Sequence, residues 1–200
     1  MDVKGTAFLA RKLMLVEDIG EGRYEEFLAE FARREPVFAE PIHATTHLPL
    51  QAFVAFNEAL VNTFYGGDPG AYFRFGEKSA EYALIIGPYK RIRDTSSVAA
   101  FVEAARFIYQ GYYTAGRAEG CLEGNTAELK LHGIPPEHRH LYLEYAIAGY
   151  VRRGIELVSL RSVHMERVAG FSCGDDLVHY HYVIEGTPAP APVVARFRAS

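Results

Sequence analysis

A chain of 200 residues is long enough for one domain with a sizeable core. Apolar residues make up 49% and charged residues 23%, the balance of a folded globular chain and not of a disordered one. The formal net charge of -4 offers no basic field to neutralise a row of phosphates, and the one basic run, Lys90-Arg91-Ile92-Arg93, reads as a solvated connection, so no nucleic-acid partner is expected.

The two cysteines, Cys121 and Cys173, belong to no paired-spacing motif, which favours free thiols in a reducing compartment. The N-terminus carries no signal-peptide run, and no stretch is apolar for long enough to span a bilayer. A cytoplasmic protein without a membrane span is expected.

Apolar residues at three- and four-residue spacing predict a helix from Gly5 to Gly20, through Phe8, Leu9, Leu13 and Val16, and a second from Glu21 to Arg34 that Pro36 stops. Val37 to Leu48 reads as a loop. A third helix opens at Pro49 and closes at Gly66-Gly67. A fourth spans Gly70 to Ile86, with Gly76, Ser79, Ala80 and Ala83 small enough to admit a close neighbour. A fifth, capped by Thr95 or Ser96, runs to Gly111.

The pattern then changes to strands. Tyr112 to Leu122 and the alternating Thr126 to His132 flank the turn residues Glu123-Gly124-Asn125, a hairpin with one solvated face. Pro135-Pro136 open a helix from Glu137 to Leu157 whose expected buried stripe is Leu141, Tyr145, Ala148, Val151 and Ile155. A second hairpin pairs Val158 to Val168 with Leu177 to Glu185. The expectation is a single α+β ligand-binding or interaction domain over 1–186 and a Pro/Ala-rich tail over 187–200.

The second hairpin carries the chemistry most worth testing. Alternation places His164 and Glu166 on one face of its first strand and His179 and His181 on one face of its second. Imidazoles two apart on a strand can share a metal, with Glu166 or Cys173 completing a tetrahedral set and zinc as the candidate ion. The alternative is the polar outer face of a half-buried sheet. Nucleophilic hydrolysis has no support, because no G-x-S-x-G elbow is present, and no Walker lysine or G-x-G-x-x-G points to a nucleotide.

Tyr109, Tyr112, Tyr113, Tyr142, Tyr145 and Tyr150 crowd the junction where helices should meet the sheet, either filling a core or lining a cavity. As a pocket, the candidate lining is Phe101, Ile108, Tyr109, Tyr112, Tyr145 and Tyr150.

Gly5-x-x-Phe8-Leu9-x-x-x-Leu13-x-x-Val16, followed by Gly20, Gly22 and Tyr24, resembles the opening of haem nitric-oxide-binding domains. Ala148-Gly149-Tyr150, then Glu166 and Cys173-Gly174-Asp175 before a final aromatic strand through Tyr182, is similar to vinyl-4-reductase domains. These families share a superfamily with TRAPP-type tethering subunits, and the texture is most similar to a family abundant in myxobacteria. The resemblance implies an N-terminal helical layer packed on a four-stranded antiparallel sheet, two hairpins separated by a long helix. It further implies a homodimer that holds an apolar or lipid-like small molecule, or a signalling protein or small GTPase, without catalysis. No histidine lies between Ser96 and Gly111, and the Tyr-x-Ser-x-Arg motif is missing, with Tyr113-Thr114-Ala115-Gly116-Arg117 a near match elsewhere. The expectation is therefore no cofactor, with haem disfavoured.

The leading expectation is a non-enzymatic small-molecule sensor or adaptor domain in signalling. A protein scaffold is the first alternative. The second is a metal-binding protein using His164, Glu166, Cys173, His179 and His181.

Overall fold

The structure, a computed structural model, describes residues 1–190. A three-residue strand, β1 (Asp2–Lys4), leads into α1 (Gly5–Ile19). Gly20, at φ 85°, then turns the chain directly into α2 (Glu21–Arg34), a conformation open to glycine and strained for other residues. β2 (His47–Pro49) pairs antiparallel with β1, setting Val3 opposite Leu48. β2 begins inside the stretch expected as loop, Val37 to Leu48, and both strands are too short to show alternation. α3 (Leu50–Phe64) and α4 (Gly70–Glu81) complete the layer. Phe56 anchors its aromatic core, with ring centroids 5.1 Å from Phe38, 5.4 Å from Phe8 and 5.5 Å from Phe31.

After α4 the chain departs from the expected continuous helices. Residues Tyr82–Ile86 form a wider π turn, and the basic run folds as α5 (Lys90–Asp94) with no buried residue. The single helix expected to Gly111 is two short ones, α6 (Val98–Glu103) and α7 (Ala105–Gln110). Ser97 Oγ caps α6 by accepting from the Ala100 amide at 3.2 Å. The apolar spacing runs on through Ala104 and so conceals the break.

Strands β3 (Arg117–Glu123), β4 (Thr126–His132), β5 (Arg161–Ala169) and β6 (Val178–Pro188) form one antiparallel sheet in the order β3-β4-β6-β5. The expected α+β architecture of two hairpins separated by a long helix is observed, joined through the β4–β6 pair. That helix, α8 (Leu141–Ser159), starts after the turn Pro136–His138, where His140 Nδ1 accepts from the Tyr142 amide at 3.0 Å. It extends through Val158, which was expected in a strand, and closes at Leu160 in a left-handed conformation. β6 continues through Thr187 and Pro188; the remainder of the expected tail, from 191 on, lies outside the described residues.

α8 is the central element. The narrow buried stripe expected for it is corrected: Tyr142, Leu143, Ala146, Ile147, Ala148, Val151, Ile155 and Val158 are buried around most of its circumference, whereas Leu141 and Tyr145 are only half-buried. The reason is that α4 covers one side and the sheet the other. At the crossing with α4 the backbones touch. A Cβ at Gly76 would fall on the Ala146 carbonyl oxygen, and one at Gly149 on the Phe73 carbonyl oxygen. Alongside, buried Arg153 is held between Glu81, at 2.8 Å, and Glu156, at 2.9 Å. Among the described residues no helix is long and apolar enough to cross a membrane.

Gly149→Ala and Gly76→Ala should each destabilise the fold by about 3 kcal/mol, because the obstructing atoms are backbone and cannot rotate away. Gly22→Ala, in the first turn of α2 where nothing lies within 4 Å, should instead gain about 0.5 kcal/mol. Urea midpoints at unchanged slope check both directions.

Candidate ligand cavity and the polar face of the sheet

Between the helices and the inner sheet face lies a cavity of about 70 Å³. Its space comes from small residues contributed by separate elements: Ala7 of α1, Gly76 of α4, Ala118 of β3, Ala127 of β4 and Ala146 of α8. Larger side chains close it. Phe101 and Ile108 come from α6 and α7, Leu129 from β4, and tyrosines 109, 112, 113, 142 and 150 complete the wall. Phe101 lies against Gly154 of α8, where a Cβ would meet its ring.

Of the six residues expected to line a pocket, Phe101, Ile108, Tyr109, Tyr112 and Tyr150 do so. Tyr145 does not. Tyr142, Ala146 and Tyr150, spaced by four, share the cavity face of α8, and Tyr145 projects from the opposite side. Of the small residues, Gly76 was expected to admit a close neighbour, but none was read as opening a cavity, because each is unremarkable within its own element.

The tyrosine hydroxyls differ in their partners. Tyr109 donates to the Ala115 carbonyl at 2.7 Å. The Tyr112 and Tyr150 hydroxyls are buried near one another without a well-aligned hydrogen bond to each other or to any other described residue, their rings edge to face at 5.9 Å. Burial holds both phenols well above their ordinary pKa and so keeps them neutral.

On the opposite face, the ladder sets Cys121, Glu128, His181 and Glu166 side by side across β3, β4, β6 and β5. His179, one pleat along β6, turns back towards Glu128, with Nε2 2.6 Å from Oε1. His181 Nε2 stands 3.5 Å from the same oxygen, Lys130 Nζ 3.0 Å from it, and Cys121 Sγ 3.2 Å from Oε2. Lys130, Cys121 and His179 together hold the Glu128 carboxyl down at about 2. Of the expected metal set, the structure thus brings His179 and His181 together, with Glu128 and not Cys173 beside them. His164 shares this face opposite Val183, and Glu166 lies across from His181.

Cys173 sits exposed on the turn Phe171–Cys173 beyond β5, at a different anchor. There buried Glu144 of α8 accepts from the Ser172 amide at 2.8 Å, Ser172 Oγ at 2.9 Å and the Tyr180 hydroxyl at 2.8 Å. Gly170 is required beside it, since a Cβ would fall on the carboxylate. The Cys173-Gly174-Asp175 signature therefore belongs to a turn held by Glu144, with Gly174 at φ 85° and Asp175 accepting from the Gly170 amide.

No family model matches the chain, and no curated protein matches it. Solved structures do. An H-NOX protein from S. oneidensis in its Fe(II)NO ligation state superposes with a TM-score of 0.73 at 13% identity, over 92% of this chain and 99% of that one. The oxygen complex of an oxygen-binding H-NOX domain related to soluble guanylate cyclases gives 0.67 at 11% identity, over 94% and 98%. An unliganded Fe(II) H-NOX mutant from K. algicida gives 0.66 at 10% identity, over 91% and 96%. This chain has the H-NOX fold.

The likeness corrects the expectation of no cofactor with haem disfavoured. The H-NOX, or haem nitric-oxide-binding, structures that share this fold include Fe(II) forms, unliganded or carrying nitric oxide, and an oxygen complex. The missing histidine between Ser96 and Gly111 and the missing Tyr-x-Ser-x-Arg motif were too narrow a ground for setting the cofactor aside. The polar side chains along the cavity are five tyrosines, with Ser79 Oγ donating to the Phe75 carbonyl and the Glu128 carboxylate turned to the histidines, and no histidine, cysteine or methionine is among the lining residues. Of the known protein ligands of haem iron, tyrosine is the one that this wall contains.

The buried phenols predict the alkaline response. Burial raises the folded-state pKa of Tyr113, Tyr150 and Tyr182 well above the unfolded value of about 10, so the stability that they contribute is complete below that pH and lost as pH rises through it. The thermal midpoint should fall steeply above about pH 10. Phenolate absorbance from these rings should appear in step with loss of the near-ultraviolet circular dichroism and not as a separate titration.

Proposed function

We propose that this domain is a small-molecule sensor in signalling, a binding and not a catalytic module. Its cavity would take an apolar ligand carrying one hydrogen-bonding atom. The observation that carries this reading is the pair of hydroxyls, Tyr112 and Tyr150, buried without a well-aligned hydrogen bond in a mostly apolar wall. A buried hydroxyl left without a partner costs about 1–3 kcal/mol. A ligand atom placed between the two would recover part of that, which gives the ligand-bound state its advantage. The likeness to H-NOX structures with bound nitric oxide or oxygen supports a sensing role for the fold.

The movable wall is α6 and α7. Each has six residues, and Phe101, Val102, Ile108 and Tyr109 of this pair seal the cavity. Helices this short rely on packing for their stability, so a ligand larger than the present space would displace them before it displaced α8.

Titration of the purified domain with straight-chain ketones of increasing length, followed by methyl NMR, should give saturable shifts at Ala146, Ile108 and Ile147. Tyr112→Phe should weaken that binding about fivefold by removing the hydrogen bond. The same change should raise the ligand-free melting temperature by about 2–4 °C, because it deletes a poorly paired hydroxyl. A parallel haemin titration, read at the Soret band, tests the cofactor of the H-NOX structures on this chain directly. Absence of saturable binding by any ketone and by haemin would overturn the proposal.

A further inference from the structure

The polar face of the sheet holds a second constellation, on the side of β4 away from the cavity. Glu128 lies on β4 directly opposite His181 on β6, and His179 is one pleat away on the same face. Both strands are interior to the sheet, so ladder hydrogen bonds on each side fix the three backbone positions. The imidazole rings stand nearly perpendicular, at 85°, with centroids 5.0 Å apart, and each presents Nε2 to the same carboxylate oxygen. The side chains of His179, Glu128 and His181 are 14%, 27% and 37% exposed, which leaves the group shielded on the sheet side and open on one other.

In a tetrahedral site with metal–nitrogen and metal–oxygen bonds of 2.0–2.1 Å, neighbouring ligand atoms stand about 3.3 Å apart. The His181–Glu128 separation of 3.5 Å already meets that spacing. The 2.6 Å contact between His179 and Glu128 needs only a small side-chain rotation to admit an ion. We propose that Glu128, His179 and His181 bind one divalent transition-metal ion of the zinc class across β4 and β6, with water at the fourth position.

Two imidazoles and one carboxylate suit zinc, cobalt or nickel and not magnesium or calcium, which prefer oxygen alone. In the metal-free arrangement Lys130 Nζ, 3.0 Å from Glu128 Oε1, supplies the positive charge there. On metal binding the ammonium has another partner, because the ladder puts Glu119 directly opposite Lys130. Cys121 contacts the other carboxylate oxygen from β3 and stays outside the ligand set. The ion would tie the two hairpins together at their shared seam.

The test uses the untagged chain, stripped with a chelator and titrated with zinc by calorimetry and with cobalt by visible absorption. One ion per chain should bind, with a tetrahedral cobalt spectrum lacking a thiolate charge-transfer band, and the melting temperature should rise with metal concentration. Glu128→Gln, His179→Ala and His181→Ala should each weaken binding by roughly 100-fold, while Cys121→Ser leaves it unchanged and Lys130→Met strengthens it. In the unmodified chain, zinc should protect His179 and His181, but not His164, from diethyl pyrocarbonate. Substoichiometric binding, affinity that survives the Glu128 and histidine changes, or loss of binding in Cys121→Ser would overturn the site.

Discussion

The backbone contact between α4 and α8 is the constraint from which the rest of the arrangement follows. Gly76 and Gly149 remove the two Cβ atoms that would keep the helices apart, and each backbone then rests on a carbonyl of the other helix. Such an approach fixes both the separation and the rotation of α8, since Gly76 and Gly149 are the positions at which each helix meets the other's backbone. With that rotation set, Tyr150, the neighbour of Gly149, points into the cavity, and Gly76 itself forms part of the cavity wall. Arg153, one turn further on, meets Glu81 of α4 and Glu156 of its own helix. A buried charge cluster of this kind adds little net stability but penalises any other registration of the helices, which would leave a charge unpaired.

The cavity is a consequence of the same rigidity. Cores normally fill their space, and a void among large rings forfeits dispersion contacts that a methyl group would recover. Here five small residues from five elements meet at one point, and two hydroxyls face inward without a well-aligned partner. Each feature separately lowers the stability of the empty state. Found together, they mark a space whose energetics improve on occupancy, which is why the cavity, and not the larger aromatic core around Phe56, is the candidate ligand site.

How much could be read from the residues follows from the range of the signal. Alternation in Thr126 to His132 correctly turned Ala127, Leu129 and Leu131 inward, and therefore Glu128 and Lys130 outward. That Glu128 faces His181 required knowing that β4 pairs with β6, a long-range fact with no local signature, so Glu166 and Cys173 were named as the neighbours in its place. Tyr145 was misjudged for a related reason. A helix covered from two sides carries apolar residues around most of its circumference, and periodicity then cannot tell the face on a cavity from the face on a core. Glu144 is the clearest omission. A carboxylate in an apolar helix reads as a solvent-facing position, and only the folded turn shows that Ser172 and Tyr180 converge on it.

β4 belongs to both candidate sites. Ala127 and Leu129 line the cavity on one side, and Glu128, between them, presents its carboxylate to the histidines on the other. A strand has no slack between adjacent residues, so a shift of β4 that widens the cavity also moves Glu128 relative to β6. If one ligand changes the affinity for the other through that strand, the effect must be equal in both directions. A displacement of β4 against α8, which its glycines lock to α4, would therefore be felt on both faces of the sheet.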